Sequence, residues 1–303
     1  MKIKANGIDI EVEDTGPARA GEPERPVLLL IHGLGMQLIA WPQLMVQKLV
    51  EAGYRVIRFD NRDIGLSQHF DHLRVPNLLW TATRLRLGFP VLPPYSLSDM
   101  AQDTLGVLDA LGVQRAHVLG VSMGGMIAQR LALAAPARLL SLTSVMSSSG
   151  ARHLPLPSSD VMRVVMQRAP ANREAQIQQT VHVVQAIAGK VYPVPEAVIR
   201  ERAARAIDRS HHPVGMQRQL VAVGCDFARA RALPRISVPT LVVHGNQDGM
   251  VPLPGGQDTA KRIPGARLVV IDGMGHDLPD PVVPLLLDAV LPHLQAHQAQ
   301  TPN

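Results

Sequence analysis

Gly120-Val121-Ser122-Met123-Gly124 is a G-x-S-x-G pentapeptide. A serine in this frame can act as a nucleophile if a strand runs into the first glycine and a helix leaves the second. The turn then lifts the hydroxyl clear of the backbone, at a helix N-terminus whose dipole favours developing negative charge. The glycines have a steric purpose, because side chains two residues before and after the serine would clash in so sharp a turn. A hydroxyl is a poor nucleophile until a base takes its proton. Twelve histidines are available. His276, in Gly273-Met274-Gly275-His276-Asp277, follows an apolar run ending at Ile271. Asp248, in His244-Gly245-Asn246-Gln247-Asp248, follows the apolar run before it. An acid, a base and a serine, each just past a strand end, make a nucleophile, its base and the group that orients the base. Their chain order is Ser, Asp, His, which differs from the orders of two other serine-triad arrangements. The chemistry is acyl transfer through a covalent intermediate, and its oxyanion needs backbone N–H donors. His32-Gly33-Leu34-Gly35 follows another buried run, and the amides of Leu34 and Met123 are the natural donors.

Rival assignments are weaker. One triad needs one base, so His32 is expected to brace its loop by hydrogen bonds. Asp226, Asp272 and Asp277 are other acids; Asp277 adjoins the base, but consecutive loop side chains point apart. Ser67 lacks flanking glycines on both sides and reads as a turn residue. His211-His212, with Asp208 and Cys225, matches no zinc spacing, and adjacent histidines rarely face one ion. No metal or cofactor is expected. Methionines adjoin every motif: Met36, Met123, Met126, Met250 and Met274. Thioethers are unbranched and repack easily. Met36, Met126, Met250 and Met274, with Met123, are therefore expected to make an apolar, deformable acyl pocket.

The elements that position these residues follow from periodicity. Residues 3–12 alternate apolar and polar around Asn6-Gly7, a hairpin signal. Val27 to Ile31 is a continuous apolar run, as in a strand covered on both faces. Residues 54–59, 116–120, 240–244 and 267–271 read as further strands. Helical patterns occupy about 41–52, 97–111, 123–135 and 281–297. Ser98 is the expected N-cap of the second of these, with Gly112 just past its end. Strands alternating with helices predict an α/β fold with a mostly parallel central sheet flanked by helices. After the polar break Ser147-Ser148-Ser149-Gly150, residues 158–231 read as helical throughout. The predicted organisation is a core of 1–145 and 234–303 with a helical lid, 146–233, inserted over the Ser122 cleft. Val161, Val164, Val165 and Ile177 would partly line the substrate channel.

These motifs together resemble the α/β-hydrolase fold family, in its lid-bearing branch of esterases, enol-lactonases, C–C hydrolases and cofactor-free haloperoxidases. Asp60-Asn61-Arg62-Asp63-Ile64-Gly65-Leu66-Ser67 is similar to that family's Asp-x-Arg-Gly-x-Gly-x-Ser turn, with Asp63 where glycine is usual. The Asp-Asn-Arg-Asp form, Gly-x-Ser-Met-Gly-Gly and Gly-His-Asp-Leu-Pro are similar to methylesterases of the aclacinomycin type. The resemblance implies a serine hydrolase cleaving carboxylic esters. The same triad could instead serve a lactone, a C–C bond or peroxide chemistry, or the fold could be a ligand receptor.

Composition bounds the partners. The 303 residues are 46% apolar and 18% charged, which excludes a disordered or fibrous chain. Cys225 is the single cysteine, so no intrachain disulfide forms. Apolar runs such as Val27 to Ile31 fall far short of the ~20 residues that span a bilayer. No signal peptide is evident behind Met1, so a cytoplasmic location is expected. The net charge of +5 comes from scattered arginines with no nucleic-acid motif, so a small-molecule ester is the expected partner. The stretch 78–87 is amphipathic and basic; it is expected to pack its apolar side on the body or lid, with no stable membrane association. The oligomeric state is left open.

Overall fold

Asn6 (φ +50°) and Gly7 (φ +78°) turn β1 (Lys2–Ala5) back into β2 (Ile8–Asp14), the antiparallel hairpin expected from Asn-Gly. This computed structural model describes residues 1–17, 24–75, 77–167 and 170–298. Among the described residues, eight strands form one sheet in the order β1-β2-β4-β3-β5-β6-β7-β8. The remaining strands are β3 (Val27–Ile31), β4 (Arg55–Phe59), β5 (Ala116–Val121), β6 (Leu139–Val145), β7 (Thr240–Gly245) and β8 (Arg267–Ile271). From β4 to β8 every pairing is parallel.

Both faces of this sheet are covered, which is why its central strands read as continuous apolar runs. Along β3, Leu28 and Leu30 join a core built with α1 (Gln43–Glu51) and α11 (Val282–Ala296). Leu29 and Ile31 join the opposite core, with α3 (Leu97–Ala110) and α4 (Met123–Ala134). β6 escapes a hydropathy reading because Ser141, Thr143 and Ser144 are buried in it. Two of these hydroxyls have side-chain partners: Ser141 bonds to His117 at 2.8 Å, and Ser144 accepts from Gln129 at 3.3 Å.

The cap of α3 differs from expectation. Ser96, not Ser98, is the N-cap, because Asp99 then falls at the third helical position, donates its amide to Ser96 Oγ and accepts the Ser96 amide on its carboxylate. Gly112 follows the helix at φ +67°, as expected.

Between β6 and β7 lie α5 (Ser159–Val165), α6 (Arg173–Ile187), α7 (Glu196–Arg209), α8 (Pro213–Gly224) and α9 (Arg229–Ala232). No strand occurs among the described residues of this segment. It is tied to the loop after β4 by buried ionic contacts. Asp63 stands at φ +70°, the conformation that favours glycine at this turn. Its carboxylate receives Nε and Nη2 of Arg218 from α8 at 2.7 and 2.8 Å, with both side chains almost fully buried. Burial alone would raise the Asp63 pKa, but hydrogen bonds from Arg218 and the Phe70 amide hold it below its ordinary value. Asp60 likewise pairs with Arg209 of α7 at 2.7 Å.

Removing one partner of such a pair strands a buried charge. Arg218→Met is therefore expected to lower unfolding free energy by about 3–5 kcal/mol in urea titrations, and Asp63→Asn combined with it, which keeps an acceptor for the Phe70 amide and tolerates the positive φ, should recover part of the loss. A single-variant loss below about 1 kcal/mol would mean the pair is as dispensable as a surface one.

The stretch expected to pack on the body or lid forms a helix, α2 (Leu78–Arg86), on the inserted segment, but only part of its apolar surface is covered. It packs on α8, but none of its residues is fully buried. Leu78 and Leu85 turn partly inward, while Leu79, Trp80 and Leu87 stand in solvent. With Asn77 as its cap and only about two and a half turns, it has apolar residues on more sides than α8 can cover.

Candidate active site

Ser122 sits between β5 and α4 at φ +54° and ψ −120°. The strain is tolerated because the surroundings over-determine the turn. The Ser122 amide donates to the Val145 carbonyl at 2.9 Å, and Ser147 Oγ donates to the Ser122 carbonyl at 2.7 Å. A Cβ on Gly120 would strike the Gly124 carbonyl, and one on Gly124 would strike the Ile31 carbonyl. Both glycines therefore have the steric purpose read from the pentapeptide.

The three distant residues are brought together. His276 Nε2 lies 2.9 Å from Ser122 Oγ, and His276 Nδ1 lies 2.7 Å from Asp248 Oδ2. A carboxylate only accepts, so Nδ1 carries the proton and Nε2 is left to accept from the serine hydroxyl. Asp248 Oδ1 receives the amides of Met250 and Val251 at 2.9 and 2.7 Å. Burial acts to raise the Asp248 pKa, but the His276 charge and these hydrogen bonds keep it below its ordinary value. The acid is thus ionised when the imidazole needs it.

His32-Gly33-Leu34-Gly35 folds over the serine: an ideal Cβ on Gly33 would lie 3.2 Å from Ser122 Cβ and 3.7 Å from its Oγ. Gly33 and Gly35 amides are engaged, by His32 Nδ1 at 2.7 Å and Gln219 Oε1 at 3.0 Å. Among the described residues, the Leu34 and Met123 amides have no acceptor within the protein. His32 is 4.7 Å from the Trp41 ring, and burial lowers its pKa to about 4. It is a neutral brace and not a second base.

The other acids are engaged elsewhere. Asp226 binds Arg130 and Arg229, and Asp272 accepts from Asn246 at 2.6 Å. Ser67 Oγ donates to the Asp60 carbonyl at 2.6 Å within its turn. Asp208 is held by Arg173, so it does not join His211, His212 and Cys225 in a ligand set. His69, Asp71 and His212 do approach one another. However, the two imidazoles are stacked 3.9 Å apart at 3°, so their in-plane lone pairs run side by side and do not converge on an ion.

The methionines divide. Met274 is fully buried in the core beside α11, and Met123 and Met126 lie in the core beside α3. Met274 packs behind Gly245, with no surface left to face a ligand. Met36 is exposed and Met250 half-buried, so these two keep free surface near the oxyanion loop and the acid.

Contacts from the inserted helices were invisible in the sequence. The Ser158 amide ahead of α5 donates to the Gly249 carbonyl at 2.9 Å, and Val161 lies against Gly249. Ile177 is buried in α6, while Val164 and Val165 are half-buried. At the end of α6, the Ile187 carbonyl accepts from the His276 amide at 2.8 Å. Met216 of α8 lies against Gly35. The insert thus touches the loops that carry Leu34, Asp248 and His276. His244 in β7 is a further residue not singled out from the sequence: its Nε2 is 3.5 Å from Asp248 Oδ2 and 2.7 Å from the Val251 carbonyl.

Asp277 accepts the Gly189 amide, and its Oδ2 is buried without a partner. Burial raises its pKa from 3.8 to about 6. The folded protein therefore holds this proton more tightly than the unfolded chain does. The resulting stability is complete below pH 3.8 and is lost as pH rises through about 6. Asp277→Asn keeps an acceptor for Gly189 and is expected to exceed wild type above pH 6 by roughly 1–3 kcal/mol, with no gain near pH 4, by thermal unfolding across pH. An equal difference at both ends of the range would contradict it.

Among the described residues, no helix is long and apolar enough to cross a membrane. The alpha/beta hydrolase fold family matches residues 26–214, and a family described as TAP-like protein matches residues 216–284. Rhodomycin D methylesterase DauP of Streptomyces sp. (strain C5) is 32% identical over 91% of this chain and 93% of its own. Rhodomycin D methylesterase DnrP of Streptomyces peucetius is 31% identical with the same coverage. A meta-cleavage product hydrolase from Pseudomonas fluorescens IP01 superposes with a TM-score of 0.76 at 18% identity, covering 98% of both chains.

Proposed function

The chain belongs to the alpha/beta-hydrolase fold family and is a carboxylic ester hydrolase, and we propose that Ser122, His276 and Asp248 are its catalytic triad. The observation that carries this assignment is the unbroken hydrogen-bond chain from Ser122 Oγ through His276 to Asp248. As Oγ attacks the ester carbonyl, His276 Nε2 takes its proton, and Asp248 stabilises the imidazolium. The carbonyl electron pair moves onto oxygen, where the Leu34 and Met123 amides receive it. Collapse expels the alkoxide, which takes the proton from His276. Water then enters and gives a proton to His276 as its oxygen attacks the acyl carbonyl; the second tetrahedral intermediate collapses, His276 returns that proton to Ser122 Oγ, and the acid leaves. Side chains and backbone amides of this chain serve every step.

The relatives named as methylesterases, similar across nearly the whole chain, favour a methyl ester with methanol as the leaving alcohol. The segment 146–233 is read as a lid over Ser122, supported by its contacts to the Gly35, Gly249 and His276 loops. Met36 and Met250 are the apolar side chains assigned to the substrate's surroundings; Val161, 2% exposed, instead packs the start of α5 against the Gly249 loop. The test is hydrolysis of methyl, ethyl and butyl esters of matched acids, following acid and alcohol release. Continuous turnover, fastest for methyl esters, is expected. A single stoichiometric burst would make the protein a receptor, and turnover of a β-diketone alone would move the triad to C–C bonds.

The strap between α6 and α7 gives a sharper check on the lid. A Cβ on Gly189 would strike the Gly273 carbonyl and come within 2.6 Å of the Gly275 amide, on either side of Met274 and next to the base. Gly189→Ala is expected to displace the strap and lower kcat/KM about 10-fold to 100-fold, as for a roughly 1 Å misplacement near the chemistry. Wild-type kcat/KM in that variant would separate the strap from the base.

A further inference from the structure

From residue 72 to residue 98 the chain carries Arg74, Arg84 and Arg86 and no acidic residue. The same stretch exposes Val75, Leu79, Trp80, Leu87, Phe89 and Leu92, with Leu79 at 78% and Leu92 at 96%. Single exposed leucines are ordinary; this many within one short stretch is not. The local structure groups them. Arg84 donates to the Pro90 carbonyl at 3.0 Å, which folds the segment after α2 back along the helix. Its guanidinium then lies 5.9 Å from the Trp80 ring and 5.7 Å from the Phe89 ring. The half-buried Arg84 thus links the exposed Trp80 and Phe89 rings on a helix whose other partly buried residues are Leu78, Thr81 and Leu85.

We propose that α2 and the segment after it form a docking surface for an anionic lipid bilayer. A helix of about two and a half turns cannot span, but it can lie in the interface, with apolar side chains among acyl chains and arginines at the headgroups. Trp80 is an amphipathic ring suited to that depth. Charge decides between lipid and a second copy of the chain. A two-fold contact through this face would set its arginines against one another with no acid in the stretch to offset them. Anionic headgroups supply the missing charge. Docking also has a place in the molecule: α2 rides on α8, whose Gln219 and Met216 touch the Gly35 loop beside Ser122. The surface faces lipid with the helices that cover the site, so lipid-dissolved esters would meet the protein there.

The experiment uses the full chain with vesicles of phosphatidylcholine alone and of phosphatidylcholine with phosphatidylglycerol. Co-sedimentation with the anionic vesicles only, weakening with salt, is expected. The protein reports its own depth: Trp80 is exposed, while Trp41 is buried at 2%, so a blue shift on binding comes from Trp80. Trp80→Ala should abolish the shift and leave hydrolysis of a water-soluble p-nitrophenyl ester unchanged. Replacing Arg74, Arg84 and Arg86 with glutamine should weaken partitioning by about fivefold per arginine, the equivalent of about 1 kcal/mol each. Ser122→Ala should bind as wild type, which keeps this test independent of the catalytic assignment. No binding to either vesicle overturns the proposal. So does sedimentation equilibrium showing a dimer that Trp80→Ala dissociates, which would assign the face to a second copy.

Discussion

Ser122→Ala is expected to reduce kcat for ester hydrolysis by about a millionfold, because a triad acts as a unit and fails when its nucleophile is lost. The backbone should survive the change. Among the described residues, Ser122 Oγ hydrogen-bonds to His276 alone, while the turn is held through the Ser122 backbone, whose amide donates to the Val145 carbonyl and whose carbonyl accepts from the Ser147 hydroxyl. Alanine keeps a Cβ, so the cost of φ +54° is already met in the native turn. The measurement is steady-state kinetics beside a thermal unfolding curve. Activity within tenfold of wild type at an unchanged Tm would remove Ser122 from the chemistry. Collapse of Tm would instead show that the elbow depends on its hydroxyl; in that case Ser122→Cys, which keeps a weaker partner for His276, should restore the fold and leave ester turnover low.

Asp248→Asn is expected to lower kcat about ten-thousandfold, and the geometry says why. The Met250 and Val251 amides point at one oxygen of the carboxylate. In asparagine the carbonyl oxygen must stay there, since an amide NH₂ would face two donors. The NH₂ is left facing His276 Nδ1 and can only donate to it. Nδ1 must then be the acceptor, the proton shifts to Nε2, and the ring can no longer take the serine's proton. Asp277 does not share this role in the native arrangement: it accepts the Gly189 amide, and its Oδ2 has no hydrogen-bond partner among the described residues. The check is kcat for Asp248→Asn alone and combined with Asp277→Asn. Retained activity in the first, lost in the second, would transfer the orienting role to Asp277.

What was legible in the sequence divides along a physical line. Short-range sterics and strand-end placement are local, so Gly120, Ser122, Gly124, Asp248 and His276 could be read from pentapeptides, and the Ser98/Ser96 slip shows how far: a cap depends on which acid sits three residues on. The alternation of β3 between two cores follows from a five-residue run. Pairing across the fold has no such local mark. Nothing in the spacing announces that Arg218 meets Asp63, that Ile187 holds the His276 amide, or that His244 approaches Asp248. The methionines make the point most plainly. Their neighbourhood to each motif was visible, but whether a side chain faces a ligand or the core is decided by what packs on it, and α11 and β7 closed over Met274 while Met36 was left in solvent. The exposed side of α2 has the same origin: its amphipathic pattern was plain in the sequence, and only the narrowness of its contact with α8 determined that Trp80 and Leu79 would stay uncovered. The sequence by itself therefore determined which candidate groups stand at strand ends and the strands that carry them, because those depend on a residue and its near neighbours. The tertiary structure alone decided which surfaces are buried and which buried charges meet, because burial is a property of two segments brought together and not of either one.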